Sequence, residues 1–319
     1  MTTIRLEPSI EALLKVTPPV DVTDYKAIRQ QMKDTSMVPQ EYISSMLEEE
    51  KYIPTRAGDN LRLVITRPAH LTDEDEALPV ILHIHGGGWA AGCPEGYIPM
   101  RSTFTNDARA IVISIDYSLS PEVQHPVALE ECFDTLEWVL NQGNALLRAN
   151  TSKIAVVGDS AGGNLAAALC LLAKQRGLEN AIQFAALLYP VMDANFDTES
   201  YHQFGKKEGY LLSSEGMQWF WDQYVPNHED RQNPLVSPLQ ASVDELRGLP
   251  RTMIITGEAD VLRDEAEAYA RKLLAAGVPV VATRYLGAIH GFCSFADVSP
   301  TGKSAVRHIV QEIKHTWAA

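Results

Sequence analysis

The sequence predicts an α/β fold, a mostly parallel central sheet flanked by helices, with a separate helical unit covering it. Three observations carry that reading. Short apolar runs of strand character alternate with helical runs through most of the chain. A Gly-x-Ser-x-Gly pentapeptide joins one apolar run to an alanine-rich one, and a glycine triplet closes an earlier strand-like run. Alternation of this kind favours parallel pairing with helices on both faces, because each parallel neighbour needs a crossover long enough to hold a helix.

Taken in order, residues 1–50 are mainly helical in pattern and end in the acidic run Glu48-Glu49-Glu50. Residues 52–67 alternate around Gly58-Asp59-Asn60 and read as a hairpin. Residues 72–76 hold Asp73, Glu74, Asp75 and Glu76 and read as a solvated turn. Strands are expected at 79–84, 110–115, 154–157, 183–188, 252–256 and 279–285, with helices between them and an amphipathic helix over 301–318. The alternation breaks at 193–234, where Tyr201, Phe204, Tyr210, Trp219, Phe220, Trp221 and Tyr224 gather. The expected division is therefore 1–50 as the N-terminal part of a helical cap, 51–192 as the first part of a core, 193–234 as a cap insertion and 235–319 as the rest of the core. An insertion after a sheet strand is well placed to form a lid with the first segment. Its aromatics either pack the cap onto itself or line an apolar pocket. Trp89, Tyr189, Phe204 and Trp219 are the expected pocket residues.

The pentapeptide Gly158-Asp159-Ser160-Ala161-Gly162 lies between the apolar run 153–157 and the run 164–174. A serine on a tight strand-to-helix turn projects its Oγ above the sheet, and its neighbours must be small because strand and helix nearly touch there. Ser160 is the expected nucleophile. His85-Gly86-Gly87-Gly88-Trp89 follows the run 79–84. Acyl transfer passes through an oxyanion, and N–H groups held ready around it lower the barrier, each worth about 10²–10³ in rate. Gly87 and Gly88 are the expected donors, with the N–H of Ala161 as the third.

The order nucleophile, acid, histidine selects the remaining partners. Of nine histidines, only His290, His308 and His315 lie beyond any suitable acid, and the last two fall in the terminal helix. His290 sits in a loop after a strand and is the expected general base. Glu258, Asp260 and Asp264 compete for the acid. Asp264 opens a helical stretch, where a carboxylate complements the helix N-terminus, and Glu258 is placed to brace the loop. Asp260 is the expected partner of His290 Nδ1, fixing its tautomer and stabilising the imidazolium.

With these residues in place, the chain resembles the hormone-sensitive-lipase family of esterases from about residue 40 onward. The matching segments are HGGGW at 85–89, Asp116-Tyr117 with Leu119-Ser120-Pro121-Glu122, GDSAGGN at 158–164, LLYP at 187–190, SPL at 237–239, DVLRDE at 260–265 and HGF at 290–292. The resemblance implies an α/β-hydrolase fold with a helical cap and hydrolysis of carboxylic esters. It further implies the triad Ser160, Asp260 and His290, with the oxyanion hole of Gly87, Gly88 and Ala161, and it makes a homodimer an expectation. Two positions depart from the family pattern. Ser118 stands where an arginine usually follows Asp-Tyr, and Val123-Gln124-His125-Pro126 stands where the family has His-aromatic-Pro. Both bear on a local salt-bridge network rather than on the reaction. Amidase, lactonase or acyltransferase chemistry would use the same residues, and a non-catalytic binding protein on this fold would typically lack a triad member.

Composition fits this enzyme class. With 45% hydrophobic residues the chain can bury a large core, and its net charge of −14 argues against nucleic acid or an anionic membrane surface as partner. No apolar stretch approaches the ~20 residues of a membrane span, and the start of the chain lacks a signal-peptide pattern. A cytoplasmic location is the resulting expectation. Cys93, Cys132, Cys170 and Cys293 are scattered without a C-x-x-C pair, which suits reduced thiols. His83 and His85 share a strand face but have no further ligand nearby, so no metal and no cofactor are expected. The partners expected are a small ester and water.

Overall fold

The computed structural model describes residues 4–16, 24–34, 38–70, 76–206 and 210–318. Of the charged turn expected at 72–76, only Glu76 lies within the described residues, where it is exposed. The strands are β1 (Met46–Pro54), β2 (Asn60–Pro68), β3 (Leu78–Ile84), β4 (Ile111–Asp116), β5 (Ala149–Asp159), β6 (Phe184–Leu188), β7 (Arg251–Ala259) and β8 (Val280–Ile289). They form one sheet in the order β1-β2-β4-β3-β5-β6-β7-β8. β2 pairs antiparallel with both β1 and β4, and every later pairing is parallel. β3, β4, β6 and the second half of β5 are mostly buried and largely apolar, rich in Val, Ile, Leu and Ala, because helices cover both faces there.

The helices are α1 (Pro8–Val16), α2 (Tyr25–Met32), α3 (Gln40–Ser44), α4 (Ile98–Asp107), α5 (Val127–Leu147), α6 (Ala161–Gln175), α7 (Glu199–Phe204), α8 (Ser214–Tyr224), α9 (Val243–Leu246), α10 (Arg263–Ala275) and α11 (Pro300–Ala318). The step from β3 to β4 runs one way along the sheet and the steps through α5, α6 and α10 run the other. Right-handed crossovers therefore put α4 on one face and α5, α6 and α10 on the opposite one. α11 packs on α4, and α5 packs on α6. No helix among the described residues is long and apolar enough to cross a membrane.

Residues 46–50 are a strand rather than the end of a helical segment, so the sheet starts inside the stretch expected to belong to the cap. The acidic run survives in a strand because its carboxylates reach arginines across the pairing. Glu49 meets Arg67 at 3.0 Å, Glu50 meets Arg62 at 2.7 Å, and Glu48 meets Arg101 of α4 at 2.9 Å. β5 likewise begins at Ala149, ahead of its apolar half.

The residues singled out by sequence all leave the carboxyl ends of strands: His85 after β3, Ser160 after β5, Asp260 after β7 and His290 after β8. Ser160 turns the chain into α6 with φ 54° and ψ −119°, a conformation non-glycine residues adopt at a cost. The turn is so tight that a Cβ on Gly162 would lie 2.1 Å from the carbonyl oxygen of Ile84. We expect Gly162→Ala to destabilise the protein by at least about 3 kcal/mol, in the range of severe steric substitutions. Urea unfolding within 1 kcal/mol of the parent would contradict this close approach.

Candidate active site

Three side chains from three loops meet above the sheet. His290 Nε2 lies 2.9 Å from Ser160 Oγ, and His290 Nδ1 lies 2.9 Å from Asp260 Oδ2. A carboxylate only accepts hydrogen bonds, so the proton sits on Nδ1 and Nε2 is left to accept from the serine hydroxyl. Asp260 is 1% exposed, and its other oxygen accepts the N–H of Leu262 at 2.9 Å, which stops the carboxylate from rotating. Ser160 and the imidazole keep only a sliver of surface, 8% and 12%. The ring of Tyr189 meets the imidazole edge-on at 5.0 Å and backs it on one side.

The competing acids have other partners. Glu258 accepts the N–H of Gly287 at 2.8 Å and braces the histidine loop. Asp264 opens α10, where it accepts from Arg263 at 2.9 Å and from the N–H of Ser200 at 2.8 Å. His308 lies away from this site on α11, 3.3 Å from the Tyr285 hydroxyl.

The glycine loop is fastened to the serine turn by one buried carboxylate. Asp159, directly before Ser160, accepts the N–H of Gly86 at 2.8 Å and the hydroxyl of Tyr97 at 3.1 Å. Its full burial outweighs these bonds and pushes its pKa up to about 6. The turn that follows is closed by the N–H groups of Ala90 and Ala91, which donate to Gly87 O at 3.1 and 2.9 Å. Gly87 has φ +116°, and a Cβ there would lie 2.2 Å from Ala91 O. Among the described residues no protein acceptor takes the N–H of Gly87 or Gly88. Ala161 opens α6, so its N–H has no partner within the helix. His85 is buried against Tyr117 with ring centroids 4.2 Å apart, and His83 is hydrogen-bonded to Ser114 at 3.1 Å. Burial lowers the pKa of both histidines. Among the described residues no three His, Cys, Asp or Glu side chains gather as a metal site, and all four cysteines are buried and unpaired.

The expected pocket residues divide. Trp89 is 1% exposed, stacked on Tyr224 at 4.4 Å and tilted against Trp221 at 4.9 Å. Phe204 is buried with the Arg263 guanidinium 5.4 Å over its ring, and Tyr189 is buried behind His290. All three are enclosed by protein, and of them Tyr189 meets the triad histidine. Trp219 keeps exposed surface and packs on Tyr25 of α2 and on Phe220. Phe220, one of the insertion's aromatics but not among the expected pocket residues, stands directly over the glycine loop, since a Cβ on Gly88 would lie 2.2 Å from its ring. The signal that identifies it is helical spacing: Met217, Phe220, Trp221 and Tyr224 form the inward stripe of α8, and Trp219 falls outside that stripe.

At the first departure from the family pattern, Ser118 donates through both its N–H and Oγ to Glu131, each at 2.7 Å. Burial pushes the Glu131 carboxyl above its ordinary range. Beyond it, Glu122 meets Arg29 of α2 at 2.8 Å.

Comparison with known proteins follows the same lines. A family model described as alpha/beta hydrolase fold matches residues 81–294. The putative alpha/beta hydrolase R526 of Acanthamoeba polyphaga mimivirus is 36% identical over 257 residues, covering 80% of this chain and 72% of that protein. An ethyl acetate hydrolase of Pseudomonas putida is 34% identical over 265 residues, covering 82% and 80%. A solved fungal esterase from Rhizomucor miehei superposes with a TM-score of 0.89 at 43% identity, covering 99% of this chain and 98% of its own.

The raised pKa of Asp159 has a definite sign for stability. A carboxyl whose folded pKa lies above its unfolded value binds its proton more tightly in the native state. Stability from this residue is therefore present at low pH and is lost as pH rises from about 4 to about 6. Asp159→Asn keeps an acceptor for Gly86 and carries no titratable proton. We expect its Tm relative to the parent to rise by several degrees between pH 4.5 and 7.5, corresponding to at most about 3 kcal/mol. A Tm difference independent of pH would contradict this.

Proposed function

The chain belongs to the α/β hydrolase fold family, and within it we propose a carboxylic-ester hydrolase that works through Ser160, His290 and Asp260. The single observation that supports this most is the unbroken sequence Ser160 Oγ, His290, Asp260, each step 2.9 Å, beside a glycine turn with unclaimed N–H groups. The relatives named as ethyl acetate hydrolase and fungal esterase support the same reaction class.

In this reading Ser160 Oγ attacks the ester carbonyl as His290 Nε2 takes its proton. Asp260 holds the imidazolium that forms. The negative charge on the carbonyl oxygen is received by the N–H groups of Gly87, Gly88 and Ala161, which need no rearrangement at that moment. His290 then protonates the leaving alcohol. Water, activated by the same imidazole, attacks the acyl-enzyme and releases the acid. Asp159 takes no part in proton transfer and keeps the nucleophile and the oxyanion donors in register.

The N-terminal helices and residues 193–234 act as the cap. Phe220 above Gly88 and Trp219 beside it bound the space for the acyl or alcohol group, which favours short to medium chains. Two outcomes are expected. Ser160→Ala removes ester hydrolysis while retaining the folded Tm, and residual activity near the parent level in enzyme free of other esterases would overturn the mechanism. Across p-nitrophenyl esters graded by acyl length, kcat/KM peaks at or below about eight carbons, as expected for a small enclosed apolar site. A maximum on long-chain emulsified substrates would overturn the size limit.

A further inference from the structure

Helix α2 lies over the active-site side of the core without a single buried residue. Its apolar stripe, Tyr25, Ile28 and Met32, is only half-buried, so the hydrophobic effect holds the helix modestly and polar contacts add to it. One side chain supplies most of them. Arg29 donates through Nε to Ala90 O at 2.7 Å and through Nη2 to Ser120 O at 2.8 Å. It also forks onto both oxygens of Glu122 at 2.9 and 2.8 Å, while its guanidinium lies 4.7 Å over the ring of Tyr25.

The two carbonyls belong to one small unit. Ala90 closes the glycine turn by donating its N–H to Gly87 O, and Ser120 donates its N–H to Trp89 O at 2.8 Å. Arg29 therefore grips the backbone that carries Gly87 and Gly88 from the outside, at two points. The same helix sets Tyr25 against Trp219, which meets Phe220 above Gly88. A planar guanidinium with five fixed donors can serve two carbonyls and a carboxylate at once, and an ammonium on a flexible stem cannot reproduce that fork.

We propose that Arg29 is a positioning residue for the oxyanion site. By its bonds to Ala90 O and Ser120 O it holds the 87–90 turn in catalytic register, and it makes that register depend on the seating of α2. The inference rests on the ester-hydrolase reading above. The Glu122 arm is half exposed and orients the guanidinium, whereas the two backbone arms act on the turn.

The test compares the parent enzyme with Arg29→Gln, Arg29→Lys and Glu122→Gln on p-nitrophenyl butyrate. Rates are divided by the active sites titrated to completion with diethyl p-nitrophenyl phosphate. Loss of a whole oxyanion donor costs about 10²–10³, so loosening the turn is expected to lower kcat per titrated site about tenfold in Arg29→Gln, with KM changed less than threefold. Inhibition by a trifluoromethyl ketone, which mimics the tetrahedral adduct, weakens in step with kcat. Arg29→Lys stays within threefold of Arg29→Gln, and Glu122→Gln loses less than threefold. A kcat per titrated site within twofold of the parent in Arg29→Gln, with only Tm or the titratable fraction lowered, would reduce Arg29 to a structural tie. Full activity in Arg29→Lys would likewise overturn the proposal in favour of simple charge pairing with Glu122. A parent enzyme that neither hydrolyses the ester nor takes the label would instead sink the functional reading, and this inference with it.

Discussion

The arrangement turns on the hydrogen bond between the Gly86 N–H and the carboxylate of Asp159. β3 and β5 are neighbours in the sheet, with Ile84 opposite Gly158, and past that pair the two chains leave the ladder. One becomes the glycine turn and the other becomes the serine elbow. Without a tie beyond the last ladder bond, the proposed oxyanion donors and nucleophile would move independently, and displacements near 1 Å at a reacting centre can cost about a hundredfold in rate. Asp159 closes that gap from the residue adjacent to the serine. The near-contact of Gly162 with Ile84 O fixes the same two segments by steric contact, so a polar and a steric constraint agree on one geometry.

Glu131 and Glu265 are buried carboxylates used in the same way as Asp159. Glu131 takes two bonds from Ser118, at the loop after β4. Glu265 takes the N–H groups of Met192 and Asp193 at 2.7 and 3.2 Å, just where the chain leaves the sheet for the aromatic insertion. Burial pushes all three above the ordinary carboxylate range. Each therefore carries a solvation cost, and each offsets it by satisfying backbone N–H groups that a loop would otherwise leave unpaired in the interior. The loops around the site are held by interior acids, in a chain whose surface is also strongly acidic.

The residues that meet in the candidate site were legible from local sequence. The serine elbow, the glycine turn and the order of acid and histidine depend on short segments whose steric needs admit few residue types, and strands buried on both faces announce themselves as unbroken apolar runs. What escaped depends on distant partners. The acidic run at 48–50 is a strand because Arg62, Arg67 and Arg101 lie across from it, which no window around residue 48 contains. Trp89 is buried because Trp221 and Tyr224 arrive from an insertion more than a hundred residues away, and Phe220 stands over Gly88 for the same reason. Arg29 looks like any surface arginine of a short polar helix until the loops at 90 and 120 are brought beneath it.

The position of the histidine at the end of the outermost strand bears on how the molecule matures. Ser160 and His290 are separated by 130 residues and are joined in the sheet through β6 and β7, which pair between β5 and β8. Pairings of such long range form late, because loop closure must precede the contacts that reward it. A chain extended only through β6 contains the segments of the elbow and the glycine turn but neither Asp260 nor His290. On the proposed mechanism the serine has no base beside it until β8 docks at the open edge. On that mechanism turnover reports a completed sheet, which a partly assembled one cannot imitate.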